Sequence, residues 1–151
     1  MTPELRSAVA TDIDAMLPRI RAADVAEMAA LGKTPEEAMR GGLASGDWTM
    51  TGLLDGVPVC MFGVAPISVL NGIGAPWMLA TDGLEAAQVP FLRTCRPVVR
   101  EMLASYPRLI NLVDERNTVA RRWLRWLGFR FDLEPLEFNG QAFLPFRLGE
   151  W

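Results

Sequence analysis

The sequence predicts a single mixed α/β domain, and three observations lead to that class. The chain has 151 residues, half of them apolar, which is enough for one hydrophobic core and few for two. Segments rich in strand-forming residues alternate along the chain with segments of helical periodicity. Two turn-forming dipeptides, Asp55-Gly56 and Asn139-Gly140, separate apolar segments as in tight hairpins. We therefore predict one domain, 1–151, in which helices flank a sheet.

The N-terminal part is expected to be a strand followed by helices. Residues 4–9 predict the strand, and residues 11–31 predict a helix. Thr11 is the expected N-cap of that helix, with Asp14 in the capping-box position. Pro18 should split or kink the helix, because proline removes a backbone hydrogen bond from a helix interior.

A further helix is expected to begin after Thr34. Pro35 suits the first helical position, and Glu37 stands where it can complete a capping box with the threonine. Gly41 and Gly42 follow within two turns and are expected to end or loosen the helix.

Strands dominate the middle of the chain. Residues 48–67 predict a hairpin turning at Asp55-Gly56, and residues 76–82 predict a third strand. Apolar residues then recur at helical spacing over 91–103, although Pro97 should interrupt or restart that helix. The rest predicts a strand over 108–115, a helix from Asn117, and two strands around the Asn139-Gly140 turn.

Composition excludes several kinds of chemistry. The chain has no histidine, so Ser-His and Cys-His nucleophile pairs cannot form. Cys60 and Cys95 are far apart and no CxxC pair exists, so no metal site is predicted and a reducing cytosol suits the chain. The net charge of −3 makes nucleic acid an improbable partner. The longest apolar run, 57–70, is interrupted by prolines and glycine, so we expect no membrane span or signal peptide.

The segment NTVARRWLRWLGF, residues 117–129, predicts a strongly amphipathic helix. At about 100° per residue, its apolar residues share one arc and its arginines share the opposite arc. Three uses fit this pattern: a core-facing stripe with a solvated basic face, a phosphate site built by arginine forks, or a protein-binding surface around Trp126. The apolar arc consists of Val119, Ala120, Trp123, Leu124 and Leu127, and the arginine arc consists of Arg121, Arg122 and Arg125.

Three segments resemble the GCN5-related N-acetyltransferases (GNATs). They are LRSAVATDIDAML, GLLDGVPVCMFGV and the helix 117–129, in which five of six family positions match. The resemblance implies a GNAT-like fold, with a mixed and mostly antiparallel central sheet flanked by helices. It also implies acetyl-CoA or CoA as the ligand and N-acetyl transfer to a phage or host amine as one activity.

Two departures from the family pattern concern its chemistry. The family's Gln/Arg-x-x-Gly-x-Gly/Ala loop, whose backbone amides hold pyrophosphate, is replaced by TDGLEAAQVPFLR. Arg125 stands where the family has the tyrosine that protonates the leaving thiolate. A basic cluster of Arg93, Arg96 and Arg100 is expected near the pyrophosphate position, where it could neutralise phosphates without the backbone cradle.

The GNAT resemblance assigns the following site residues if CoA binds. Backbone groups of Met78, Leu79 and Ala80 would hold the pantetheine arm, while Asn117, Arg121 and Arg125 would contact the phosphates or pantetheine. Asp82 or Glu115 would relay the amine proton, and Arg125 would stabilise the thiolate. The alternative for the carboxylates, including Asp114, is that they cap turns and helices.

The region from Trp48 to the end also resembles the internal virion protein A family of T7-like phages. The segments that carry this resemblance are WMLATDGL, FLRTCRPVVREMLASYPRLINLVDERN and RWLRWLGFRFD. It implies a phage accessory protein that acts in virion assembly or infection by binding a phage or host protein, with a degenerate acyl-CoA site. The implied location is the host bacterial cytoplasm, with packaging in the virion as an alternative. The sequence leaves the oligomeric state open.

Overall fold

The computed structural model describes residues 2–45 and 48–151 and has the element order predicted from the sequence. Two short 3₁₀ helices, Leu17–Arg19 and Asp82–Ala87, join longer elements. The strands are β1 (Pro3–Ser7), β2 (Trp48–Leu54), β3 (Val57–Ser68), β4 (Ile73–Ala80), β5 (Arg108–Asp114), β6 (Leu136–Phe138) and β7 (Gln141–Gly149). The helices are α1 (Ala10–Met16), α2 (Ala22–Ala30), α3 (Pro35–Ser45), α4 (Gln88–Ser105) and α5 (Thr118–Trp126).

The seven strands form one twisted sheet in the order β1-β2-β3-β4-β5-β7-β6. All the described neighbours pair antiparallel apart from β4 and β5, which run parallel. The fold class predicted from the sequence, a mixed and mostly antiparallel sheet flanked by helices, is confirmed.

Helices cover both faces of the sheet, because alternate residues of each strand point to opposite sides. Met61 and Leu79 face α1 and α3, where Ile13, Met16 and Met39 complete a small core. The larger core lies on the other face, between the sheet and α4 and α5. Its buried members include Phe62, Val64, Phe91, Val99, Met102, Trp123, Phe129 and Phe146.

Both hairpin predictions are confirmed by the backbone. Asp55 and Gly56 have φ of 50° and 80°, and Asn139 and Gly140 have φ of 49° and 77°. Two successive residues with positive φ define the type I′ turn, whose twist matches that of the paired strands. The Thr34 cap is also confirmed, since the Glu37 N–H donates to the Thr34 hydroxyl and Glu37 Oε1 accepts from the Thr34 N–H.

The predicted cap of the first helix was wrong. The helix begins at Ala10 rather than after Thr11, and Val9 is its N-cap. Asp12 instead of Asp14 accepts the hydrogen bond from the backbone of the cap, at 3.0 Å from the Val9 nitrogen. Pro18 does separate two helices, as predicted, because α1 ends at Met16 and α2 begins at Ala22.

Two predicted helix interruptions were also wrong. The helix α3 continues through Gly41 and Gly42 to Ser45. A side chain at Gly42 would collide with the Trp77 indole, so the glycine lets the helix approach the sheet closely. The helix α4 runs through Pro97 to Ser105. Tertiary packing of Val99 and Met102 therefore outweighs the helix-breaking tendency of the proline.

Within residues 2–45 and 48–151, no helix is long and apolar enough to cross a membrane. The same residues contain no group of three or more histidine, cysteine, aspartate or glutamate side chains placed to hold a metal ion.

Candidate functional site

The candidate site is a split in the middle of the sheet, between the parallel strands β4 and β5. The two strands pair only at Ile73 with Arg108 and Gly74 with Leu109, and then diverge. A cleft of about 480 Å³ opens between them. This volume is within the range of about 300–1,000 Å³ typical of small-molecule sites. The cleft reaches both faces of the sheet, since residues of α2 and α3 line one end and residues of α4 and α5 the other.

Asn111 joins the two strands where the ladder ends. Its Nδ2 donates to the Pro76 carbonyl of β4 at 2.8 Å, and its Oδ1 accepts from the Leu112 N–H at 2.8 Å. Pro76 has no N–H to continue a ladder. The side-chain amide therefore satisfies backbone groups that would otherwise face an open gap.

Two carboxylates of α2 reach the far ends of the diverging strands. Asp24 Oδ2 accepts from the Ala80 N–H of β4 at 2.9 Å, and Glu27 Oε1 accepts from the Asp114 N–H of β5 at 2.7 Å. The acids are three residues apart, so they lie on one face of the helix. The helix α2 thus bridges the split and closes the cleft at this polar end.

Asn117, the N-cap of α5, occupies the space between these carboxylates. Its Oδ1 accepts from the Ala120 N–H at 3.4 Å, and its Nδ2 lies 3.5 Å from Asp24 Oδ1. Only 3% of the residue is exposed. The predicted ligand-contacting asparagine is therefore in the cleft, where it both caps the helix and contacts the acids.

Burial makes the polar end of the cleft electrostatically unusual. It raises the pKa of Asp24, although hydrogen bonds from Ala80 and the charge of Arg21 oppose the change. Burial also raises the pKa of Glu27 to about 7, and the negative charges of Asp24 and Asp114 act in the same direction. Glu27 therefore exchanges a proton near neutral pH, which suits a general acid or base.

Asp114 behaves differently from these two acids. Burial alone would raise its pKa, but the Arg116 guanidinium, which donates to both carboxylate oxygens at 3.0 and 2.6 Å, lowers it. Gln141 donates a further hydrogen bond at 3.0 Å. Asp114 is thus an ionised structural group that fixes the turn into α5, which agrees with the capping alternative.

The remainder of the cleft is apolar. On the α4 and α5 side its walls come from the second half of α4, from α5 and from the sheet. These wall residues include Val99, Met102, Leu124, Leu127, Phe129 and Phe146. The apolar stripe predicted for 117–129 is confirmed, because Trp123 is buried while Arg122 and Arg125 are exposed.

Three residues, Met78, Leu79 and Ala80, were predicted to hold pantetheine with their backbone groups. In the structure these backbone groups do not all face the cleft. The Thr81 N–H donates to the Val59 carbonyl of β3, whereas the Ala80 N–H faces the split. Because strand residues alternate in direction, Met78 also directs its backbone toward the split and Leu79 directs its backbone toward β3. Both backbone groups of Ala80 are bonded within the chain, since its carbonyl accepts from the Arg21 N–H at 2.9 Å.

The other predicted site residues lie outside the described cleft lining. Asp82 and Glu115 are exposed at the ends of β4 and β5. The Arg121 guanidinium donates to the Glu115 carbonyl at 3.0 Å, and Arg125 stacks over Phe131, 5.1 Å from the ring centroid. Catalytic and CoA-binding roles for these four residues stay predictions.

The segment after β4 forms a 3₁₀ helix where the family has its glycine loop. Thr81 caps this helix, with its hydroxyl accepting from the Gly83 N–H at 3.2 Å. A crevice of only about 20 Å³ remains beside it, lined by Arg21, Glu85, Gln88 and neighbouring residues. The Gly83 and Leu84 N–H groups at the start of this helix both donate to Thr81, so neither is free to hold a phosphate.

Asp24, Glu27 and Asn111 were not among the site residues predicted from the sequence. The only available signal was weak: Arg21, Asp24 and Glu27 recur every third residue, which places charged groups on one face of a helix. Their partners are 56 and 87 positions away along the chain, so no local pattern indicates that these charges are buried.

Several solved acetyltransferase structures share this architecture. A GCN5-related N-acetyltransferase from Kribbella flavida matches with a TM-score of 0.71 and 16% identity over 98% of each chain. The ribosomal-protein-S18-alanine N-acetyltransferase from Escherichia coli matches with a TM-score of 0.69 and 14% identity, over 98% of this chain and 94% of that one. A GNAT-family acetyltransferase from Bacillus anthracis matches with a TM-score of 0.69 and 11% identity, over 99% of this chain and 95% of that one.

Searches by sequence give no comparable match. No protein-family model matches the chain, and no curated protein matches it. The structural likeness establishes the fold: the chain has the GNAT fold, with its splayed pair of parallel strands.

Proposed function

We propose that the chain is an acyl-CoA-dependent N-acyltransferase. The observation that carries this proposal is the split between β4 and β5, which opens a cleft of about 480 Å³ through the sheet. A thioester entering on one face can thereby meet an amine entering on the other. Burial of both reactants in one passage supplies proximity and excludes water, two effects that lower the barrier to acyl transfer.

The cleft fits the pantetheine arm of CoA. Met78 presents backbone groups to the split, and the wall formed by Val99, Met102, Leu124 and Leu127 would contact the methylene segments. CoA would supply the acyl group as an activated thioester. The side chains of the cleft would bind and orient the two reactants.

The phosphate groups of CoA fit this chain less well than the pantetheine arm does. The glycine loop is absent, and Arg96 of α4 is engaged with α5, where it stacks 3.9 Å from the Trp126 ring centroid. Arg93 and Arg100 are exposed on the same helix and remain available to neutralise phosphates. We expect CoA to bind through the arm chiefly, with side-chain contacts replacing a backbone cradle.

Calorimetric titration of the purified protein with acetyl-CoA and with free CoA tests the proposal. We expect saturable binding with a dissociation constant in the micromolar range, equivalent to about 8 kcal/mol. Arg93→Ala with Arg100→Ala should weaken binding of both ligands and reduce its salt dependence. An absence of heat at millimolar ligand would overturn the proposal.

A second candidate function is protein binding, which the Arg96–Trp126 pair favours. Trp126 is 42% exposed beside arginines, a composition found at interaction hot spots. A phage role in virion assembly or infection, in the host cytoplasm or packaged in the virion, rests on sequence resemblance alone, since no family model matches. Trp126→Ala should abolish capture of a phage or host protein without changing the melting temperature; unchanged capture would exclude this surface.

A further inference from the structure

Part of the cleft lies inside the larger hydrophobic core. The cleft residues that belong to this core, or pack against it, have side chains without a charge, an amide or a hydroxyl group. We call this part of the cleft the apolar chamber. Its lining consists of Phe62, Met78, Cys95, Val98, Val99, Met102, Val113, Ala120, Trp123, Leu124, Leu127, Phe129 and Phe146.

One wall of the apolar chamber comes from α4. Cys95, Val98, Val99 and Met102 all line the cleft. Their spacing of three, one and three residues places them on one face of the helix. At 1.5 Å per residue, the wall that they form is about 10 Å long.

The direction of α4 shows how this wall is placed in the cleft. Gln88, in the first turn of α4, lines a crevice together with Arg21, which pairs with Asp24 at the polar end. Tyr106, just beyond the last turn, lies against Gly74, where β4 and β5 are still paired. The helix therefore runs from the polar end of the split toward its closed end, and the apolar wall lies in the deeper half.

An apolar space within a core requires an explanation. Protein interiors are normally packed with few voids larger than a water molecule, and an unfilled apolar cavity lowers stability. Cavities of this kind stay dry and bind apolar molecules. The pantetheine arm would fill the chamber poorly, because its amides would be buried without hydrogen-bond partners. A hydrocarbon chain has no polar group to desolvate and fits the lining better.

We propose that the apolar chamber holds the acyl group of the donor, and that the donor is a medium-chain acyl-CoA. The chain would have about six to eight carbons, since C–C bonds of about 1.5 Å give an extended chain of that size a length close to that of the α4 wall. The pantetheine arm lies nearer the polar end, and the acyl chain continues past it against Val98 and Met102. This inference rests on the proposed acyltransferase function and names its donor.

Calorimetric titration with acetyl-CoA, butanoyl-CoA and hexanoyl-CoA measures the contribution of the acyl chain. Each buried methylene should tighten binding about 4-fold, so hexanoyl-CoA should bind about 100-fold or more tighter than acetyl-CoA. Saturable binding whose affinity does not rise with chain length would overturn the chamber assignment and leave the acyltransferase proposal intact.

A variant with a larger side chain on the α4 wall tests where the acyl chain lies. Val98→Phe should lower the affinity for hexanoyl-CoA to that for acetyl-CoA, whose short chain does not reach the added ring. Val89→Phe is the matched control, because Val89 is 59% exposed on the first turn of the same helix and lies outside the described cleft lining. It should bind both esters as wild type does. A hexanoyl preference that survives in Val98→Phe, or an equal loss in both variants, would contradict the assignment.

A second measurement depends neither on Val98→Phe nor on the nucleotide of CoA. Thioesters of N-acetylcysteamine contain only the end of the pantetheine arm, and the protein is labelled with ¹³C-methyl methionine. The Met102 resonance is identified by its loss in Met102→Leu, a change that nearly conserves volume. We expect the hexanoyl thioester to shift this resonance saturably and the acetyl thioester to leave it unchanged.

The outcomes distinguish the donor proposal from the proposed function. If no CoA ester gives binding heat while the hexanoyl thioester shifts the Met102 resonance, the CoA-dependent function fails and the chamber stands as a site for acyl chains. No shift with the hexanoyl thioester, or equal shifts with both thioesters, would overturn the chamber assignment.

Discussion

At the scale of single residues, Asp12 shows how a buried charge can hold separate elements together. Its carboxylate accepts two hydrogen bonds from Arg6 of β1 at 2.8 Å each and one from the Thr51 hydroxyl of β2 at 2.7 Å. It also accepts from the Val9 N–H at the start of α1. These bonds, led by those from Arg6, lower the pKa of Asp12 to about 2.

Asp12→Asn should destabilise the protein by about 2 kcal/mol near neutral pH, a magnitude typical of hydrogen bonds to charged groups. Because the folded pKa is below the ordinary value of 3.8, the contribution of Asp12 is present above about pH 4 and is lost as the pH falls toward 2. Urea unfolding at a series of pH values measures the difference between wild type and variant. A difference that stays constant down to pH 2 would contradict this assignment.

Glu27 should have the opposite effect on stability. Its pKa rises from 4.5 in the unfolded chain to about 7 in the folded one, so the folded protein binds more protons between these values and loses stability as the pH rises through them. By linkage the ionised side chain costs roughly 3 kcal/mol above pH 7. Glu27→Gln should be more stable than wild type at pH 8 and similar at pH 4. Parallel stability curves for the two proteins would show that Glu27 is not buried as described.

Asp12 and Glu27 show what the sequence could and could not predict. A carboxylate in the first turn of this helix was predicted to accept from the backbone of the N-cap. The structure has such a carboxylate, but both predicted residues were wrong, since Val9 replaces Thr11 as the N-cap and Asp12 replaces Asp14 as the acceptor. The burial of Asp24 and Glu27 could not be predicted, because it depends on where the ends of two strands lie relative to α2. A helix face with regularly spaced charges normally indicates exposure to solvent.

At the scale of elements, turn chemistry was predictable and helix ends were less so. Asp55-Gly56 and Asn139-Gly140 have positive φ at both positions, which follows from local sterics alone. Gly41, Gly42 and Pro97 did not stop their helices, because contacts with distant residues such as Trp77 compensate for the local preference. Intrinsic propensity is a weak signal where packing opposes it.

Pro97 leads to a prediction about α4. It is exposed and inside the helix, where it removes one backbone hydrogen bond. Pro97→Ala should raise stability by up to about 3 kcal/mol. Pro90→Ala is the control, since Pro90 lies in the first turn, where its missing N–H has no helical partner in any case. Chemical denaturation of both variants measures the effect, and equal changes would show that the helix does not continue through Pro97.

At the scale of the whole molecule, the split sheet connects fold and chemistry. Antiparallel partners on both sides, β3 and β7, hold β4 and β5 in place while these two diverge. The resulting passage has an apolar end between α4 and α5 and an acidic end at α2. This polarity suits the proposed reaction between an uncharged acyl chain and an ammonium group. The residues that line the passage come from eight helices and strands that the sequence does not place together.

If the passage is the donor site, filling it from one wall should block binding without unfolding the protein. Ala120 of α5 lines the cleft beside Trp123 and Leu124, and a larger apolar side chain there would occupy the space between the helices. Ala120→Phe should therefore abolish the heat of acetyl-CoA binding while its melting temperature stays near that of wild type. Arg122→Phe, on the exposed side of the same helix, adds the same ring without entering the cleft and should bind normally. Wild-type affinity in Ala120→Phe would mean that acetyl-CoA binds elsewhere on the molecule, whereas equal loss in both variants would indicate a general disturbance of α5.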